Sequence, residues 1–284
     1  MTEAAQKTCY RHPDRLTGLS CSECGRPICT ECMTMAPVGI RCPEHSGKAQ
    51  GVQRVARGVQ RASFEGAGAR VTKVLIGLNV GVYLAELIQG GGVNGINSTI
   101  YEKGVLYGPA IANGDWWRLM TAAFLHYGPF HLLLNMLGLW WFGTLLEQRI
   151  GSGRFLLIYI VSGLAGSAGA LVLNPTQLTV GASGAIFGIL GAGLVLEHQR
   201  DYVFGGSALG IIVANLVLTF ALSGISIGGH IGGLIGGAVS MLALTRLGRS
   251  HAAYGRAGLL GIAGIVAVGL ISIAVAYWKV RGYA

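Results

Sequence analysis

From residue 72 onward the chain alternates long apolar stretches with short polar breaks. Seven stretches reach the length of a membrane crossing: 72–89, 130–147, 155–173, 180–197, 206–223, 226–245 and 257–278. A bilayer's hydrocarbon core takes about 20 apolar residues of helix, so the pattern predicts seven transmembrane helices. The connection 90–129 is long and carries Trp116, Trp117 and Tyr127, residue types that suit a membrane interface. Residues 1–71 read differently. They are polar, punctuated by Gly and Pro, and the first 20 contain no apolar signal-peptide core.

Charge sharpens that division. The 284 residues are 52% hydrophobic and only 12% charged, against about 25% charged in an ordinary soluble domain. Residues 1–73 hold 11 basic and 6 acidic side chains, and the far longer remainder holds 10 and 6. A disordered chain is excluded and a soluble enzyme is disfavoured. The expected organisation is a small domain over 1–45, a basic linker over 46–71, a membrane core over 72–247, and a further helix and tail over 248–284. The 47 glycines concentrate in the apolar part, where small residues let helices approach closely in lipid.

Basic residues set the expected orientation. With a cytoplasmic N-terminus, Arg149, Arg154, Arg200, Arg246, Arg249 and Arg256 fall inside. Only Lys103, Arg118, Lys279 and Arg281 fall outside. The linker and its junction with the first span carry Lys48, Arg54, Arg57, Arg61, Arg70 and Lys73 against Glu65, a composition suited to anionic lipid headgroups. The reading is a multi-pass plasma-membrane protein.

All six cysteines lie between Cys9 and Cys42, in four pairs of equal gap: Cys9-x-x-His12, Cys21-x-x-Cys24, Cys29-x-x-Cys32 and Cys42-x-x-His45. In a reducing cytoplasm such clusters bind metal rather than form disulfides. Eight Cys/His ligands meet the needs of two closed tetrahedral zinc sites, which are structural rather than catalytic. A 45-residue segment cannot build a sufficient core alone, so the metal would supply folding free energy. Spacing alone leaves open whether neighbouring or alternate pairs share an ion. The near-neutral charge of residues 1–45 argues against a nucleic-acid partner. A cytoplasmic protein partner is the expected role.

Polar groups inside spans are costly and usually functional. Counted inward from the outer boundary, Asn135, Ser183 and His230 sit at one depth on three different spans, with His131 close by. This set meets the needs of acyl transfer. A serine needs a base to take its proton, His230 can be that base, and Asn135 and His131 can point N–H groups at a developing oxyanion. No carboxylate lies at that depth, so a Ser–His dyad is expected rather than a triad. Gly181 and Gly184 flank Ser183, and Gly233 and Gly237 follow His230 at one-turn spacing.

These residues resemble the motifs of rhomboid intramembrane serine proteases. Gly181-Ala182-Ser183-Gly184 resembles their G-x-S-G motif, and His230-x-x-Gly233-x-x-x-Gly237 their histidine helix. His131-x-x-x-Asn135, Trp117-Arg118 and Glu147-x-Arg149 also fit, and the resemblance covers about 72–247. It implies a six-helix bundle, here with a seventh helix. It implies Ser183 as nucleophile and His230 as general base, with His131, Asn135 and the Ser183 backbone N–H as oxyanion hole. His126, Trp117 and Arg118 would be structural or close to substrate. Phe187 stands where the family often has tyrosine, and Gly229 where it often has alanine. The implied reaction is endoproteolysis in or beside a substrate's transmembrane helix, at a site open to the outer face, without a catalytic cofactor.

The N-terminal spacing resembles a B-box-like zinc finger. By that resemblance Cys9, His12, Cys29 and Cys32 share one zinc, and Cys21, Cys24, Cys42 and His45 the other. Two other readings compete for the membrane part. One is a catalytically silent rhomboid-like protein that binds client helices. The other is a small-solute transporter, against which the lack of paired midplane charges counts.

Overall fold

A computed structural model describes residues 7–35, 39–46, 68–90, 92–221, 224–247 and 259–283. The chain divides into two compact units, Met1–Ala62 and Ser63–Ala284. Most of the basic linker, with Lys48, Arg54, Arg57, Arg61 and Glu65, lies outside the described residues, as do Arg249 and Arg256.

The first unit is built from two short antiparallel hairpins. β1 (Lys7–Thr8) pairs with β2 (Leu16–Thr17), and β3 (Thr34–Met35) with β4 (Ile40–Arg41). Its core consists of Ile28 and five of the cysteines, all buried. The Glu44 carboxylate accepts from both the Tyr10 hydroxyl and Arg11. Those two donors hold it down at about 2. The Tyr10 phenol is pushed up to about 12 by burial and by Glu44. This contact ties the first hairpin to the segment between Cys42 and His45.

The second unit is helical. Its long elements are α1 (Arg70–Ile88), α5 (Gly128–Gly138), α7 (Ser152–Leu173), α8 (Ser183–His198), α9 (Ala208–Ala221), α10 (Ile227–Leu247) and α11 (Leu259–Val280). Short helices α2 (Thr99–Gly104), α3 (Gly108–Ala112) and α4 (Arg118–Thr121) shape the loop between α1 and α5. α5 continues through a π-helical turn, Leu139–Gly143, into α6 (Thr144–Ile150). Such turns accommodate an extra residue without breaking the helix.

All seven expected crossings correspond to a helix, but two are shorter than the pattern implied. Five segments are long and apolar enough to cross a membrane: Arg70–Ile88, Gly128–Ile150, Ser152–Leu173, Ile227–Leu247 and Leu259–Tyr283. The stretches read as 180–197 and 206–223 form helices of only 16 and 14 residues. At 1.5 Å per residue a 16-residue helix spans roughly 24 Å, short of a hydrocarbon core of about 30 Å. The first is short because residues 179–182 are drawn out of helical conformation. Thr179 forms an antiparallel bridge with Leu106, and the Gly181 N–H donates to the Ala122 carbonyl, 2.9 Å away.

Glycine explains the heart of the bundle. The run Ile227-Gly-Gly-His-Ile-Gly-Gly-Leu-Ile-Gly-Gly places two glycine stripes on neighbouring faces of α10. Gly228, Gly232 and Gly236 lie against α7 at Gly169 and Ala165. Gly233 and Gly237 lie against α8, where a Cβ would overlap the carbonyl oxygens of Gly184 and Gly188. α10 is thereby wedged between α7 and α8 at backbone contact distance, the packing that small residues permit in lipid. α11 lies against α7 and α10, with Gly269 beside Val161 and Gly261 beside Leu244.

Two carboxylates, Glu147 buried and Glu197 half-buried, organise the ends opposite the Ser183 turn. Glu147 accepts from the backbone N–H groups of Val71 and Thr72 (2.9 and 2.8 Å), the Thr72 hydroxyl (2.8 Å) and the Ser152 hydroxyl (2.5 Å). It caps α1 from another helix, satisfying N–H groups that the first turn leaves unpaired. Glu197 does the same before α9, accepting from Phe204, Gly206 and Ala208.

Candidate active site

The strand-like approach to α8 ends at Gly181, whose φ of +121° excludes most L side chains. Its Cα faces the His131 ring and the Asn135 carboxamide, and a Cβ there would come within 2.8 Å of His131 Nε2. Ser183 is the first helical residue of α8. It therefore stands where backbone N–H groups have no intrahelical acceptor. His230, one turn into α10 and buried, reaches back so that Nε2 lies 2.8 Å from Ser183 Oγ. The Phe187 ring, one turn further along α8, stacks on the imidazole with centroids 4.1 Å apart and planes 19° apart.

His131 and Asn135 are one turn apart on α5. The Asn135 Nδ2 donates to the His131 carbonyl at 2.9 Å, which leaves its second N–H available. The Tyr127 backbone N–H points at His131 Nδ1, 3.3 Å away. That nitrogen then accepts, so the ring proton sits on Nε2, the atom facing Gly181. Two side-chain donors thus face Gly181, two residues before the serine.

Trp117 and Arg118 bond to the loop before them. Trp117 Nε1 donates to the Lys103 carbonyl. Arg118 is buried, paired with Asp115 at 2.9 Å, and donates to the Glu102 and Val105 carbonyls. Together they clamp α2 to α4. His126 is fully buried, and its ring lies 5.1 Å from that of His131.

One partner of the site was not anticipated. Thr219 of α9 places its hydroxyl 2.7 Å from His230 Nδ1. The only sequence signal is a polar pair, Asn215 and Thr219, one turn apart on an otherwise apolar helix.

In the first unit the eight Cys/His residues form two groups, Cys9, His12, Cys29 and Cys32, and Cys21, Cys24, Cys42 and His45. Within each, the ligand atoms lie within 4.8 Å of one another. Alternate rather than neighbouring pairs therefore come together. None of the six cysteines is in a disulfide. Zinc with ordinary bond lengths in a tetrahedron requires about 3.8 Å between sulfurs and about 3.6 Å between sulfur and nitrogen. The Cys24–Cys42 sulfurs are 3.8 Å apart, and Cys29 and Cys32 lie 3.4 and 3.3 Å from His12 Nδ1. Both groups fit a metal ion.

A family model, the rhomboid domain, matches residues 113–247. The chain carries a rhomboid domain. It contains His131, Asn135, Ser183, Phe187, Thr219 and His230. Rhomboid protease GluP of Bacillus subtilis (strain 168) is 39% identical over 229 residues, covering 79% of this chain and 43% of that protein. Putative rhomboid protease YdcA of the same organism is 40% identical over 121 residues, 42% of this chain and 61% of that protein. RHOMBOID-like protein 1 of Arabidopsis thaliana is 41% identical over 108 residues, 37% and 28% respectively. The chain thus spans less than two thirds of the length of these relatives. The rhomboid domain with its membrane-length helices makes this a polytopic membrane protein.

Proposed function

We propose that the protein is an intramembrane serine endopeptidase that cleaves transmembrane protein substrates. The observation that carries this reading is the 2.8 Å approach of His230 Nε2 to Ser183 Oγ beside the His131 and Asn135 donors. Ser183 Oγ attacks the scissile carbonyl carbon while its proton passes to His230 Nε2. The carbonyl oxygen becomes an oxyanion, received by His131 Nε2–H, the free Asn135 N–H and backbone N–H groups of the first α8 turn. His230 gives its proton to the departing amine, and an acyl-enzyme remains. Water, activated by the same histidine, then releases the acid and frees Ser183. The scissile segment must leave its helix to expose a carbonyl, so substrates carry small or helix-weakening residues there.

The setting follows the charge distribution. The protein spans the plasma membrane with its N-terminus in the cytoplasm, and the site opens to the outer face. Zinc fills both N-terminal clusters in a structural role, with four protein ligands each and no open position. A silent client-binding role is not favoured, because the serine and its base stand at hydrogen-bonding distance, with His131 and Asn135 facing Gly181 two residues before the serine.

The test is cleavage of a single-span model substrate in liposomes by wild type, Ser183→Ala and His230→Ala. Cleavage by wild type alone is expected. Equal cleavage by all three would refute the assignment, as would an intact substrate together with no fluorophosphonate labelling of Ser183.

A further inference from the structure

Thr219 makes two contacts with one hydroxyl. Its Oγ1 lies 2.8 Å from the Asn215 carbonyl and 2.7 Å from His230 Nδ1. Both Thr219 and His230 are buried, so no bulk water competes for these bonds. A hydroxyl has one hydrogen to donate and lone pairs to accept with. The Asn215 carbonyl can only accept, so the Thr219 hydrogen goes to it. What faces His230 is then an oxygen lone pair, and Nδ1 must be the protonated nitrogen. A neutral imidazole carries one N–H. Its Nε2 is therefore bare and turned to Ser183 Oγ, the form a general base requires.

We propose that Thr219 is a positioning residue that sets the tautomer and the orientation of His230, doing through a neutral hydroxyl what a triad's carboxylate does. This rests on the reading of Ser183 and His230 as the catalytic dyad. Three elements then hold one ring: α10 supplies it, Phe187 of α8 covers its face, and Thr219 of α9 holds its far nitrogen. Without the hydroxyl, nothing described at Nδ1 prefers the productive tautomer. The ring can then present an N–H to Ser183, which cannot accept the serine's proton.

α9 is the least enclosed helix of the site. Leu209, Val213, Val217, Leu218 and Phe220 are each more than half exposed. The dyad's order is thereby linked to the seating of α9: a helix displaced outward takes the Nδ1 acceptor with it.

The experiment uses the full chain in liposomes with a single-span model substrate. Thr219→Val keeps the side chain's shape and removes the hydroxyl. It is expected to lower kcat by about 10- to 30-fold, the range that loss of one buried hydrogen bond gives. KM should stay within about twofold, since binding is not touched. Fluorophosphonate labelling of Ser183 should slow in the same proportion. Thr219→Ser should restore both. Should Thr219→Val fold poorly, 15N shifts of labelled histidine in wild type and Thr219→Ser report the tautomer without it. An Nδ1–H, bare-Nε2 ring is expected in both, and the opposite tautomer overturns the proposal. So does a Thr219→Val protein with wild-type kcat and labelling, while Ser183→Ala and His230→Ala remain inactive. If wild type neither cleaves nor labels, the protease reading falls first and this inference with it.

Discussion

Gly233 of α10 lies so close to Gly184 of α8 that a Cβ on Gly233 would overlap the Gly184 carbonyl oxygen. Gly184 directly follows Ser183, and Gly233 is three residues after His230. This backbone contact therefore sets the distance between Ser183 and His230. Gly233→Ala should force the helices apart, at a cost of about 1–3 kcal/mol or more. Its thermal midpoint in detergent should fall and cleavage should be lost. Ser183→Ala should lose cleavage with an unchanged midpoint. A Gly233→Ala protein as stable and active as wild type would contradict the packing.

The oxyanion donors should separate from the dyad in kinetics. In the proposed mechanism, Asn135→Ala removes a donor to charge that develops only during reaction. A loss of about 10²- to 10³-fold in kcat is expected. Labelling of Ser183 by a small fluorophosphonate should slow as well, because that reaction also builds negative charge on oxygen. An unchanged kcat would remove Asn135 from the site.

Glu147 should matter for stability rather than chemistry. Its carboxylate is buried and accepts from Val71, Thr72 and Ser152. Glu147→Ala strands those donors, and a hydrogen bond to a charged group contributes about 1.5–3 kcal/mol. The expected result is a lowered melting midpoint with kcat near wild type in the folded fraction. A large kcat effect at unchanged stability would point to a different role.

Metal content distinguishes alternate from neighbouring pairs. Wild type should contain two zinc ions per chain by atomic emission. Cys9→Ser combined with Cys29→Ser should lose one, since both belong to one group. Cys9→Ser combined with Cys21→Ser should lose both. If the first double variant lost both ions and the second only one, neighbouring pairs would share each metal.

The helices were legible in the sequence because burial in lipid requires long apolar runs, which periodicity and length reveal directly. The ligand pairs were legible because a two-residue gap is a local property. The lengths of α8 and α9 were not. Apolar character continues through residues 179–182, but the Leu106 bridge and the Gly181 turn pull that stretch out of the helix. The double glycine stripe of α10 was only half visible. Gly233 and Gly237 stood out beside His230, whereas the role of Gly228, Gly232 and Gly236 appears only against α7.

Composition, hydropathy and motif spacing by themselves determined a small cysteine-rich module, a glycine-rich helical membrane core, and a serine, a histidine and an asparagine on separate spans. Each of those follows from chemistry carried within a short window of chain. The structure brings together the cysteine pairs that the B-box resemblance implied, and it alone decided how near Ser183 comes to His230 and that Thr219 closes on the far side of the imidazole. Those depend on contacts between residues distant in the chain, where packing, not local preference, sets the distance.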